Sequence, residues 1–241
     1  MNEDRLIPMP CLRTHIVWMS AILFAAAGGG QPDVSFLTHH KGTPFHDGKY
    51  GPQKIPGTVM CAYYDQGGEG VAYHDADARN NGSGALNPSN GTYLNEFRRN
   101  EGVDTSYTKF GLDPKIDDNP YNKVVPPSGL LYVGWTEPGE WFNLTVDVAD
   151  TGDYSIDLLY TSNRGGTIAL DLNGKSATAP LKIASTFDAT DPVAWRQWHH
   201  WNVAHDLAHI HFNKGRNVIT MRTLSQGQMN YATLTFNRVR P

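Results

Sequence analysis

Between Glu140 and Leu172 the chain alternates apolar and polar residues with period two, in three short runs each closed by turn residues. The runs are Glu140-Trp-Phe-Asn-Leu-Thr-Val-Asp-Val148, Tyr154-Ser-Ile-Asp-Leu-Leu-Tyr160 and Thr167-Ile-Ala-Leu-Asp-Leu172. They are punctuated by Gly152-Asp153, Asn163-Arg-Gly-Gly166 and Asn173-Gly174. In a strand every second side chain points to the same face, so each run must bury one side against something else. An Asn-Gly pair tolerates the left-handed backbone of a tight hairpin. Similar short runs at Thr58–Tyr64, Trp198–Val203, Asn217–Thr223 and Tyr231–Val239 complete the pattern of an all-β sandwich. The abundance of Gly, Pro, Tyr and Trp fits strands joined by turns rather than a helical bundle. With 39% apolar and 18% charged residues a core is within reach, and wholesale disorder is excluded. The net charge of −4 offers nothing to a phosphate backbone, so no nucleic-acid partner is expected.

The first thirty residues read differently. Arg5 and Arg13 precede the apolar run Ile16–Phe24, and Ala25-Ala-Ala-Gly-Gly-Gly30 follows it. A charged start, a short apolar stretch and a small-residue exit describe a secretory signal peptide. The run falls short of the about 20 residues of a membrane span, so no membrane association is expected. The expected division is therefore 1–30 signal peptide, 31–56 an extended Pro/Gly-rich lead-in, and 57–241 the sandwich, exported to the periplasm or beyond. Cys11 belongs to the export segment, which leaves Cys61 without an intrachain partner. A buried, unreactive thiol is the expectation for it.

Two long irregular stretches, Gln66–Asn95 and Leu112–Gly129, are rich in Gly, Asn and Pro and read as binding loops. His209-Ile-His211 places two imidazoles on one strand face, yet no cysteine or carboxylate framework completes a zinc site. Asp75-Ala-Asp77 and Asp113, Asp117 and Asp118 offer oxygens without the D-x-D-x-D-G calcium loop, and read as turn caps with calcium as the alternative. The carboxylate pairs Glu137/Glu140 and Glu101/Asp104 keep a polysaccharide-cleaving hydrolase or lyase open as an alternative. There is no nucleophile elbow, zinc helix or phosphate loop.

From about residue 55 to 239 a series of segments, in order, resembles family 6 carbohydrate-binding modules and the related family 35. These are Gly67-Gly-Glu-Gly-Val-Ala-Tyr-His-Asp75, Glu101-Gly-Val-Asp104, Val133-Gly-Trp-Thr-Glu-Pro-Gly-Glu-Trp141, Val146-Asp-Val-Ala-Asp-Thr-Gly-Asp-Tyr154, Trp195-Arg-Gln-Trp198 and Lys214-Gly-Arg-Asn-Val-Ile-Thr220. The resemblance implies a galactose-binding-like jelly roll that binds poly- or oligosaccharide, without catalysis, beside a secreted glycoside hydrolase. It also implies a cleft among loops at one end, where two aromatic rings and an amide hold a sugar. By order along the chain those positions are Trp135, Trp195 and Asn230, with Tyr73, Glu69 and Glu137 as further contacts. A pyranose has an apolar C–H face for the rings and hydroxyls for the amide, so the chemistry agrees. The family's first strand carries an acidic pair for a structural calcium. Here those places hold Met60 and Ala62, which give a hard cation no oxygen. An adhesive, protein-binding sandwich is the remaining alternative.

Overall fold

The computed structural model describes residues 34–48 and 51–240. The expected signal peptide and Cys11 lie outside the described residues. In chain order the strands are β1 (Gln53–Ile55), β2 (Gly57–Met60), β3 (Tyr73–His74), β4 (Thr105–Tyr107), β5 (Leu131–Val133), β6 (Trp141–Val148) and β7 (Gly152–Ser162). They continue with β8 (Gly166–Leu172), β9 (Lys175–Ser176), β10 (Leu181–Ile183), β11 (Asn202–Phe212), β12 (Gly215–Ser225) and β13 (Met229–Arg238). One sheet runs β1-β6-β12-β8-β10, with β3 on β6 and β9 on β8. The other runs β11-β7-β13-β5-β4, with β2 on β13. The chain changes sheet between β6 and β7, β7 and β8, β11 and β12, and β12 and β13, which is the wrapping of a jelly-roll β-sandwich. No helix among the described residues is long and apolar enough to cross a membrane.

The period-two reading places the core. Phe142, Leu144, Val146 and Val148 of β6 face Tyr154, Ile156, Leu158 and Tyr160 of β7 in one buried cluster, joined by Ile168, Leu170, Leu234 and Phe236. Each such side chain contributes about 1.5–3 kcal/mol by leaving water. Cys61 lies in the same cluster, fully buried, and burial raises its thiol far above the ordinary range.

Three local expectations change. The run at Thr58–Tyr64 is a strand only to Met60 and then a 3-10 turn, Cys61–Tyr63. There the Gln53 amide replaces a strand partner, accepting from the Met60 N–H at 2.6 Å and donating to the Met60 carbonyl at 3.2 Å. The expected lead-in contains a helix, Val34–His39, and β1, which pairs in parallel with β6. Residues Ala194–Trp198 form a 3-10 helix, and the following strand starts only at Asn202. Trp201, between them, is fully buried against Tyr132, and its carbonyl accepts from the N–H groups of Lys123 and Val124 in the 105–130 loop, which opens as β4 and leads to β5.

Candidate functional site

At one end of the sandwich a cleft of about 700 Å³ opens between the long loops and the β12–β13 turn. Trp135, Trp195 and Asn230 all line it, together with Trp198, Tyr132, Leu86, Asn87, Lys109, Ile116, His199 and Gln228. Among the described residues, no aspartate or glutamate lines it.

Trp135 follows β5 with φ of +51°, a left-handed backbone that costs a bulky residue about 1–2 kcal/mol. The neighbouring chain fixes it. Gly134 N–H donates to the Asp104 carbonyl, and Thr136 exchanges side-chain and backbone bonds with Met229 at 3.0 Å. The ring lies against Gly82, where an added Cβ would fall 3.2 Å from the indole and 2.0 Å from the Thr105 carbonyl oxygen. Trp135 remains 38% exposed and Trp195 45%, which leaves both indoles partly open to solvent.

Trp195 and Trp198 ride on the 3-10 helix, which Asp191 anchors. The Asp191 carboxylate accepts two bonds from the Arg196 guanidinium, at 2.8 and 2.7 Å, and one from His200 Nε2 at 2.7 Å. Hydrogen bonding to Arg196 holds this carboxyl well below the usual range. Arg196 also donates to the Lys115 carbonyl, tying the helix to the 105–130 loop. That loop has its own anchor in Asp117. Its side chain, fully buried, accepts from Trp201 Nε1 at 2.7 Å, His199 Nδ1 at 2.9 Å and the Lys109 backbone N–H at 2.7 Å. The 82–87 wall depends on Asn80, whose Oδ1 accepts from the N–H groups of Gly82, Ser83 and Thr105.

Asn230 is 5% exposed. Its NH2 is committed inward, to Thr161 Oγ1 at 2.9 Å and the Trp198 carbonyl at 2.7 Å. Only Oδ1 remains for a ligand, beside Gly134, whose missing Cβ gives it room. The amide is therefore an acceptor alone.

Tyr73, Glu69 and Glu137 do not join the cleft. Tyr73 pairs with Phe142 across β3 and β6, faces the core, and accepts the Gly102 N–H on its hydroxyl. Glu69 is exposed and bonded to His74 and the Asp75 N–H. Glu137 occupies the Pro138-Gly139 turn, where its N–H donates to Glu140. These carboxylates belong to a separate acidic region with Asp75, Asp104 and Glu140. Burial, reinforced by neighbouring carboxylates, pushes Asp75 and Glu140 up to about 7 and Asp104 to about 6. No group of three or more His, Cys, Asp or Glu among the described residues is placed to hold a metal ion. Ala62 packs with Phe45, Phe97 and Leu131, and Met60 packs against them, surroundings that do not fit calcium. The strand histidines pair with carboxylates instead, His209 with Asp206 and His211 with Asp153.

Several cleft residues escaped the sequence reading. Trp198 reads as packing, Asn87 falls in the Gln66–Asn95 loop without being singled out, and Lys109, Gln228 and His199 carry no local signal of a sugar site.

No protein-family model matches the chain, and no curated protein matches it. Among solved structures it is similar to a CBM6 module from Clostridium stercorarium in complex with cellobiose, with 10% identity, 78% of this chain and 98% of that one covered, and a TM-score of 0.44. It is also similar to a family 35 carbohydrate-binding module from Clostridium thermocellum, with 21% identity, coverage of 49% and 84%, and a TM-score of 0.39. A third similarity is to the isomalto-dextranase of Arthrobacter globiformis T6 complexed with panose, with 15% identity, 77% of this chain but 24% of that one, and a TM-score of 0.42.

Proposed function

We propose that the chain is a secreted, non-catalytic carbohydrate-binding protein that takes a poly- or oligosaccharide into the aromatic cleft, in company with a secreted glycoside hydrolase. The observation that carries the reading is the convergence of Trp135, Trp195 and the Asn230 carbonyl on one cleft of about 700 Å³. Indole faces take the C–H face of a pyranose, and the amide oxygen accepts from a hydroxyl. Among the described residues no carboxylate lines the cleft to supply the acid and base pair that glycoside hydrolysis uses, which favours binding over cleavage. Export rests on the composition of residues 1–30 alone.

An open site for one or two sugar units binds weakly, with Kd between about 10 µM and 1 mM. Affinity electrophoresis of the mature chain against plant, algal and microbial polysaccharides tests this. Retardation on one polymer class, abolished in Trp135→Ala and in Trp195→Ala, is the expected outcome. Normal retardation of both variants would place binding elsewhere, and release of reducing ends would replace binding by hydrolysis.

A further inference from the structure

The charge lining the cleft is one-sided. Lys109 is half-buried there, and its ammonium donates to Ser106 Oγ at 3.1 Å and rests 4.3 Å over the Tyr107 ring. No carboxylate pairs with it among the described residues. Asp117, the acid nearest in the network, is turned to Trp201, His199 and the Lys109 backbone and does not line the cleft. Burial lowers the Lys109 pKa, the mark of a cation that has lost water without gaining a full counter-charge.

A second cavity of about 620 Å³ shares Leu86 and Asn87 with the cleft. It is lined by Arg79 and Arg99, again with no aspartate or glutamate lining it among the described residues. Arg79 is exposed and donates to the Gly84 carbonyl, with no carboxylate partner among the described residues. Arg99 is paired with Glu96, which lies outside that lining. Leu86, 67% exposed, lines both cavities.

The hydrogen-bond polarity agrees. Lysine can only donate, so Ser106 Oγ accepts from Lys109 and sends its own proton to Asn87 Oδ1, 3.2 Å away. That orientation leaves the Asn87 NH2 without a protein partner. Around the shared Leu86–Asn87 wall the two cavities thus carry three cations, Lys109, Arg79 and Arg99, of which only Arg99 is paired, on a protein whose net charge is −4.

We infer that the two cavities form one trough for an anionic polysaccharide, whose sugar rings stack at Trp135 and Trp195 while its carboxylate or sulfate groups meet Lys109 and Arg79. The inference rests on the glycan-binding reading and narrows it to acidic polymers.

Biolayer interferometry on immobilised polymers tests it. Polygalacturonate and alginate form the carboxylate arm, carrageenan and cellulose sulfate the sulfate arm, and neutral glucan, xylan and galactan the controls. At about 50 mM NaCl at least one acidic polymer should bind about tenfold more tightly than any neutral one, the weight of a charge-assisted contact. Which arm responds names the anion. Lys109→Met should bring the preference within about twofold, Lys109→Arg should keep it, and about 1 M NaCl should erase it. A thermal melt of each variant separates loss of charge from loss of fold. Neutral polymers bound as tightly as acidic ones, or a preference that survives in folded Lys109→Met, would overturn the inference while leaving glycan binding in place. Failure of the folded parent to bind any polymer would remove the glycan-binding reading itself, and the inference with it.

Discussion

Replacing Asp191 by alanine separates the frame of the cleft from its contact surface. The substitution removes the acceptor of four hydrogen bonds, from Arg196 (two), His200 and the Val193 N–H, and leaves the Arg196 guanidinium, 7% exposed, without its counter-charge. An exposed ion pair contributes at most about 1 kcal/mol, whereas breaking a deeply buried one costs about 3–5 kcal/mol. The Asp191 side chain is covered by its partners, yet the loop lies at the periphery, where solvent still screens charge. An intermediate cost of about 2–3 kcal/mol follows. For a domain of this size that is a melting shift of about 4–12 °C. Arg196→Met in the Asp191→Ala background should recover part of the loss, because the stranded charge goes with it. The sign with pH is fixed by the direction of the shift. The folded pKa of Asp191 is depressed, so its stabilisation is present above the unfolded pKa of about 4 and is lost as pH falls through the folded value. Scanning calorimetry at pH 7 and pH 3 reads both effects, and affinity electrophoresis reads the displacement of Trp195. A single variant melting within about 2 °C of the parent at pH 7, or a double variant less stable than the single one, would refute the reasoning.

Two further perturbations act elsewhere, one on the acidic region and one on the 82–87 wall. Asp75, Asp104 and Glu140 have folded pKa values of about 7, 6 and 7, above their unfolded values. Their stabilisation is full below about pH 4 and is lost as pH rises through 6 to 7, so the melting temperature should fall between pH 5.5 and pH 8. Glu140→Gln should flatten that slope, and an unchanged slope would show that these groups do not control it. Gly82→Ala should cost about 1–3 kcal/mol and weaken glycan retention. Its Cβ would meet the Thr105 carbonyl at 2.0 Å, backbone that cannot swing aside, and would press on Trp135. A variant that melts and binds like the parent would show that the turn has room to shift.

The sandwich was legible because its strands repeat a local rule. Phe142, Leu144, Val146 and Val148 are inward both in the pattern and in the structure, since a one-residue slip would turn the whole set to water. Trp135, Trp195 and Asn230 were placed by likeness in chain order, and the three do meet in one cleft. Tyr73 lies elsewhere: β3 pairs it with Phe142, and that parity sends the ring into the core. Glu69 and Glu137 sit in neighbouring turns and are drawn to local N–H donors and His74 rather than to the cleft. Lys109 and His199 were invisible for a different reason. Their positions depend on Asp117, which bonds residues up to 84 positions away. A loop without periodicity gives no local sign of such a partner.

The three loops that wall the cleft share one construction. Each is fixed by a buried polar side chain: Asn80 for residues 82–87, Asp117 for the 105–130 loop, and Asp191 for the 3-10 helix. A buried polar group is costly unless its bonding is complete, so each hub admits few loop conformations. Apolar packing would tolerate sliding, and a slide of an ångström would change how the two indoles face each other across the cleft. The same division separates stability from recognition. Trp135 and Trp195 are exposed enough that truncation removes contact surface more than core. Trp135 even sits in a strained left-handed backbone, held there by Gly134, Thr136 and the β12–β13 turn. A residue held against its own conformational preference at the mouth of a cleft is carried by its neighbours, and its use lies in what it presents to solvent.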